Sequence, residues 1–374
     1  MKIKSKPEDF YVKEIIDLDK KKEGETFRYF LMRKKNISTI KAIKIIARKL
    51  HISKRKIYFA GEKDKNTISE QYIAIRNLNE FKEEYNFGNV YLKYVGSYDE
   101  PLRISDIEYN YFRIIIREVN EKERELFEKN IKIFDKYYFN YFDEQRFGNR
   151  YNNHIIGKYI IKRDFENAIK IFLTDYNNEK NELSIKARKY LLENWGNFKE
   201  ALKLYPSFLD IERSLLTYLS KEINYRRALR YIPKRILKMF VHSYQSYLWN
   251  KLVSRYIEKN YGDKYYIETK IGKFYIIKDK EEIDKLKNKI FPLIGYDIKD
   301  KEIYKEILGE ENINIEELEF KDKPSLSLLS TNRNLLSEVK ELDYKINNDI
   351  IEISFILNKG SFATMYIKHL FSNF

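Results

Sequence analysis

Phe59-Ala60-Gly61-Glu62-Lys63-Asp64-Lys65-Asn66-Thr67-Ile68-Ser69-Glu70-Gln71 is the stretch on which the fold turns. Before it, Lys56-Ile57-Tyr58-Phe59-Ala60 reads as a buried strand; after it, Gln71-Tyr72-Ile73-Ala74-Ile75 reads as another. The loop between them sets one carboxylate, Asp64, between two ammonium groups, Lys63 and Lys65. Opposite charges nearby favour an ionised carboxyl, so this spacing suits a nucleophilic acid on a rigid edge. The competing reading is a solvated turn, because charge runs are usually surface.

Outward from this loop, residues 1–118 alternate between strand and helix. Ser38 or Thr39 caps a helix whose apolar face is Ile40, Ile43, Ile46, Ala47 and Leu50. Phe112 to Arg117 forms a further strand, and a polar helix runs from about Glu121 to Asp135. Asn140 to Gly148 mixes rings, amides and one Arg without periodicity and reads as a loop. From about 160 to 225 the pattern is helical and charged. Pro233 then starts a helix with the stripe Leu237, Val241, Tyr244, Leu248, Leu252 and Arg255. Near the end, Ile351, Ile353, Phe355 and Leu357 alternate as a half-buried strand, Asn358-Lys359-Gly360 turns the chain, and Ser361 is placed to cap a short helix. The first and last segments thus read as one α/β unit interrupted by a mostly helical middle.

Composition narrows the chemistry. The 374 residues are enough for about two domains. A formal net charge of +15, with 32 Tyr and 24 Phe, fits a polyanion whose bases stack on rings while cations meet phosphates. An AT-rich coding bias accounts for part of that pattern. Without cysteine there are no disulfides, thiolate catalysis or Cys-based zinc sites. His51, His154, His242 and His369 are too scattered for a His-built metal site, and no two glycines fall two apart, which removes the dinucleotide fingerprint. No apolar run reaches the length of a membrane span, and no signal-peptide core is present, so a soluble cytoplasmic protein is expected, with no cofactor and no metal.

Glutamine occurs only three times, as Gln71, Gln145 and Gln245. All three fall in segments singled out on other grounds: the Asp64 loop, the Asn140 loop and the helix at His242 to Asn250. An amide suits fixing a loop or reading a base edge.

Seven segments, in order along the whole chain, resemble the tRNA pseudouridine synthase D (TruD) family, archaeal type. They are Pro7 to Glu14; Lys35-Asn36-Ile37-Ser38-Thr39; Gly61-Glu62-Lys63-Asp64 with Thr67 and Gln71; Asn110 to Ile114; Asn140 to Gly148 with Asn153 and Gly157; Tyr244 to Asn250; and Leu357 to Met365. The chain departs from the family pattern at Asp143, Ser105 and the Lys368-His369 pair. The resemblance implies a pseudouridine-synthase-like catalytic domain with a mixed, largely antiparallel sheet flanked by helices, over 1–155 and 311–374. It is interrupted by a mostly helical insertion domain over 156–310, with the helix 233–256 at the boundary. The implied enzyme is an isomerase that converts uridine to pseudouridine in tRNA, at uridine 13 of the D arm. Asp64 either attacks C1′ or removes a sugar proton, and no cofactor takes part. Phe10, Phe142 and Phe362 are the rings implied to surround the flipped uracil, with Asn140 at its polar edge. Lys63, Arg146 and Gln71 are the remaining substrate-binding candidates. tRNA is the expected partner of a monomer. The rival from another class is a non-catalytic RNA-binding protein on the same fold. An RNA methyltransferase is disfavoured by the missing Gly-rich turn.

Overall fold

Alternation with a period of two builds the sheet. Along Phe10–Ile16 the buried positions are Phe10, Val12 and Glu14; along Glu23–Lys35 they include Phe30, Met32 and Lys34; along Ile350–Asn358, Ile351, Ile353, Phe355 and Leu357 are all buried. The structure, a computed structural model, describes residues 1–373. Its first compact unit is Met1–Tyr138 with Ser337–Ser372, and its second is Phe139–Leu336.

In the first unit the strand order is Glu84–Asn86, Val90–Tyr98, Glu23–Lys35, Ile68–Arg76, Phe10–Ile16, Ile107–Arg117, Ile350–Asn358, Leu336–Asn347 and Tyr137–Phe139. Two short strands, Lys2–Ile3 and Ile57–Phe59, pair beside Ile107–Arg117 and Ile68–Arg76. Phe10–Ile16 runs parallel to Ile68–Arg76, with Tyr11 opposite Ile68. The remaining described registers are antiparallel, so the sheet is mixed and largely antiparallel, as the sequence reading expected. Ile107–Arg117 joins the two chain ends: Ile114 faces Phe10 on one side and Ile353 on the other.

Thr39–Lys49 packs on this sheet through Ala42, Ile43, Ile46 and Ala47, against Phe30, Met32, Ile73 and Ile75. Ser38 is its cap: the hydroxyl accepts from the Lys41 backbone N–H at 3.4 Å. Glu121–Ile133 and Ala363–Leu370 are further helices of this unit, and the Asn130 amide donates to the carbonyls of Leu370 (3.1 Å) and Ser372 (2.9 Å). Ser361 does not cap the last helix. Phe362 occupies that position, and the Ser361 hydroxyl hydrogen-bonds Ser337 at 2.8 Å instead.

The second unit is mainly helical, from Asn153–Ile161 to the 27-residue helix Lys234–Asn260, with two small antiparallel strand pairs. Leu237, Val241, Tyr244, Leu248 and Leu252 of the long helix are buried as the stripe requires. Arg255 leaves the stripe for ion pairs with Glu306 and Glu310. Asn153–Ile161 lies against the long helix at Gly157, where a Cβ would stand 2.1 Å from the carbonyl oxygen of Phe240.

Candidate active site

The Asp64 loop is held at both ends before it presents anything. Ile57–Phe59 pairs with Ile68–Arg76, placing Phe59 opposite Ile73. Gln71 is fully buried; its amide donates to the Gly61 carbonyl (2.9 Å) and accepts from the Thr39 hydroxyl (2.8 Å). The same Thr39 oxygen accepts the Lys63 backbone N–H at 2.9 Å. Gln71, read as a substrate contact, is thus placed where it ties the loop to the start of the helix.

Two donors fix the peptide of Asp64. The Lys34 ammonium donates to its carbonyl oxygen at 2.7 Å, and the Thr67 hydroxyl donates to the same oxygen at 3.0 Å. Lys34 has 0% of its surface exposed. Burial brings its ammonium from the ordinary lysine value of 10.5 down to about 8, with the Lys63 charge adding to the fall and the Asp64 charge opposing it. The side chain of Asp64, by contrast, is 37% exposed, and its Oδ2 accepts from Lys4 Nζ at 2.7 Å. The Lys4 ammonium also stands 4.2 Å from the centroid of the Phe10 ring. Asp64, Lys4 and Phe10 therefore form one group, with a carboxylate that solvent reaches on a peptide held by two hydrogen bonds.

The segment leading to Phe10 is itself anchored. Asp9 is buried; Arg117 holds its carboxylate with a contact of 2.8 Å, and its Oδ2 accepts the Lys6 backbone N–H at 2.9 Å. Phe10 is buried to 5% exposure and packs edge-on to Phe112.

Lys63 is not the ion partner that its position beside Asp64 suggests. Its Nζ donates to Asn110 Oδ1 at 2.8 Å and stands 3.0 Å from Glu14 Oε1. The physical reason is Glu14, a fully buried carboxylate on the inward face of its strand. Burial raises its carboxyl, and Lys63 and the Tyr72 N–H are the groups that counter this. Lys65 is exposed.

Of the ring candidates, Phe362 belongs to the first unit, half-buried at the head of Ala363–Leu370, with its carbonyl accepting from the Tyr138 hydroxyl at 3.2 Å. Asn140, Phe142 and Arg146 belong to the second. Arg333 organises that group: it donates to Asn140 Oδ1 (2.7 Å) and to the Asn140 carbonyl (2.8 Å), and its guanidinium lies 4.0 Å from the Phe142 ring centroid. The Asn140 amide nitrogen donates to the Asn334 carbonyl at 3.2 Å. Asn250 pairs with the backbone of Phe142 in both directions, at 2.9 and 2.8 Å. Arg146 donates to the Ser246 hydroxyl at 3.1 Å, and burial lowers its guanidinium. It clamps its loop to the long helix.

Lys4, Lys34 and Arg333 escaped the sequence reading. For Lys34 a signal existed, since it shares strand parity with Phe30 and Met32; Lys4 and Arg333 act at sequence separations of 60 and 193 residues, which no local spacing encodes. Among the described residues no cluster of three His, Asp or Glu is placed to hold a metal ion, and no helix is long and apolar enough to cross a membrane.

The mixed sheet joined from both chain ends matches a solved architecture. The crystal structure described as a putative tRNA pseudouridine synthase D from Methanosarcina mazei superposes with a TM-score of 0.72 at 26% identity, covering 99% of this chain and 93% of that one. By fold and kinship the chain is a pseudouridine synthase, an isomerase. The family model for tRNA pseudouridine synthase D (TruD) matches residues 1–370, and the chain belongs to that family. Relatives along the full length include the tRNA pseudouridine synthase D of Aquifex aeolicus, 31% identical over 99% of this chain and 98% of its own. A probable tRNA pseudouridine synthase D of Nanoarchaeum equitans is 35% identical over the same shares. A second probable one, from Methanocaldococcus jannaschii, is 34% identical over 99% of this chain and 92% of its own.

Proposed function

We propose that the protein isomerises uridine 13 in the D arm of tRNA to pseudouridine, with the Asp64 carboxylate acting at the ribose and no cofactor. The reaction breaks the N1–C1′ bond, turns the uracil and joins C5 to C1′, so nothing is gained or lost. Either version of the step, attack of the carboxylate on C1′ or removal of a sugar proton, needs a carboxylate held close to the ribose. The observation that carries this reading is the contrast at Asp64: a peptide hydrogen-bonded by Lys34 and Thr67, beneath a carboxylate open to solvent and paired with Lys4.

Phe10 supplies a ring beside that carboxylate, and an everted base costs a few kcal/mol of unstacking that an aromatic contact offsets in part. Phe142, Phe362 and Asn140 are proposed as the other uracil contacts on the strength of the family motifs. Residues 1–155 and 311–374 are proposed as the catalytic domain and 156–310 as the family's insertion. The test is to incubate unmodified tRNA transcripts with the purified protein and map pseudouridine by chemical derivatisation. A single new modification at position 13 is expected; modification elsewhere, or none, refutes the assignment.

A further inference from the structure

Positive charge is not spread evenly over this chain. Between Lys221 and Lys238 lie Lys221, Arg226, Arg227, Arg230, Lys234, Arg235 and Lys238 against the single acid Glu222, seven minus one, or +6 of the net +15. All seven cations are exposed. Arg226 and Arg227 have acidic partners, Asp322 at 2.7 Å and Glu222 at 2.9 Å. Lys234 and Arg235 open the helix Lys234–Asn260, whose first turn holds no acid, although cations are disfavoured at that end of the helix dipole.

A ring-lined hollow adjoins the strip. Tyr231, 46% exposed, stands 5.0 Å from the ring of Tyr218, and the two line a cavity of about 460 Å³ together with Arg213, Lys221 and Asp210. That volume falls in the range of small-ligand pockets, and a phenol face beside cations suits an unpaired base next to its phosphate.

We infer that the exposed strip from Lys221 to Lys238 is an RNA-docking surface of the second unit, its cations meeting backbone phosphates and Tyr231 meeting an unpaired base. The inference rests on the tRNA reading above but concerns affinity, not chemistry. Each phosphate neutralised by a cation releases a counterion, so the surface has a signature in the salt dependence of binding.

The experiment compares the wild-type protein with the triple variant Arg230→Ala/Lys234→Ala/Lys238→Ala, and separately with Tyr231→Ala. Kd for a fluorescent tRNA transcript is measured by anisotropy across a salt series, alongside kcat at saturating tRNA and Tm. The triple variant is expected to bind at least roughly tenfold more weakly at low salt. Its slope of log K against log salt should be shallower by about 2 to 3, with kcat and Tm unchanged. Tyr231→Ala is expected to weaken binding roughly ten- to hundredfold without changing the slope. An unchanged Kd and slope in the triple variant overturns the surface. A wild-type protein that binds tRNA through this strip yet forms no pseudouridine overturns the catalytic reading and leaves the surface standing, so the two failures are distinguishable.

Discussion

Replacing Lys34 with Met should separate stability from activity. The amine is fully buried, and burial lowers its value from 10.5 to about 8. At 1.36 kcal/mol per pH unit, that difference corresponds to a destabilisation of about 3 kcal/mol. Because the folded value lies below the unfolded one, the penalty is complete below about pH 8 and fades as the pH rises towards 10.5. Stability contributed by this group therefore increases across that window. Lys34→Met removes the penalty but also the hydrogen bond to the Asp64 carbonyl, worth about 1 kcal/mol, while the Thr67 bond stays. At pH 7 the variant should be more stable by roughly 1–2 kcal/mol, in keeping with apolar replacements of buried charge. The gain should vanish near pH 10. Turnover should fall by about 10²-fold, the scale of a small misplacement of a reacting group. Urea unfolding at pH 7 and pH 10, with single-turnover pseudouridine formation, measures both. Parallel pH-stability curves for the two proteins, or wild-type turnover in the variant, would refute the reasoning.

Lys4→Ala removes the cation on the Asp64 carboxylate; turnover should drop about 10²-fold, while thermal denaturation shows a loss under about 1 kcal/mol, since both side chains are partly exposed. Gly157→Ala drives a methyl into the Phe240 carbonyl, so the second unit should lose at least about 2 kcal/mol in a denaturant titration. Arg333→Ala leaves two acceptors of Asn140 unpaired and uncovers the Phe142 ring; urea unfolding should register a loss of roughly 2–3 kcal/mol.

What was legible in the sequence was what repeats locally. Period-two alternation gave away the strands around Val12 and Ile353, the Ser38 hydroxyl marked a helix start, and the stripe from Leu237 to Leu252 marked a buried helix face. The carboxylate at Asp64 was equally visible; its partner was not. Adjacent residues in an extended loop point apart, so Lys63 turns inward to Glu14 while Asp64 meets Lys4, 60 residues away. Lys34 hid in the run Arg33-Lys34-Lys35, which looks like an exposed basic strand end, although parity with Phe30 and Met32 puts the middle residue inside. Ser361 misled for a related reason: a hydroxyl near a helix start caps it only when no better partner is in reach, and Ser337 is in reach.

Asp64→Asn is the most direct measurement of all, because it keeps the shape of the side chain and removes its charge. Incubated with an unmodified tRNA transcript and mapped for pseudouridine, the variant should give no product over times in which the wild-type protein converts uridine 13 fully, while Kd for the tRNA stays within about tenfold, one charge in a large interface. Pseudouridine formed by Asp64→Asn at a rate near the wild type would contradict the account.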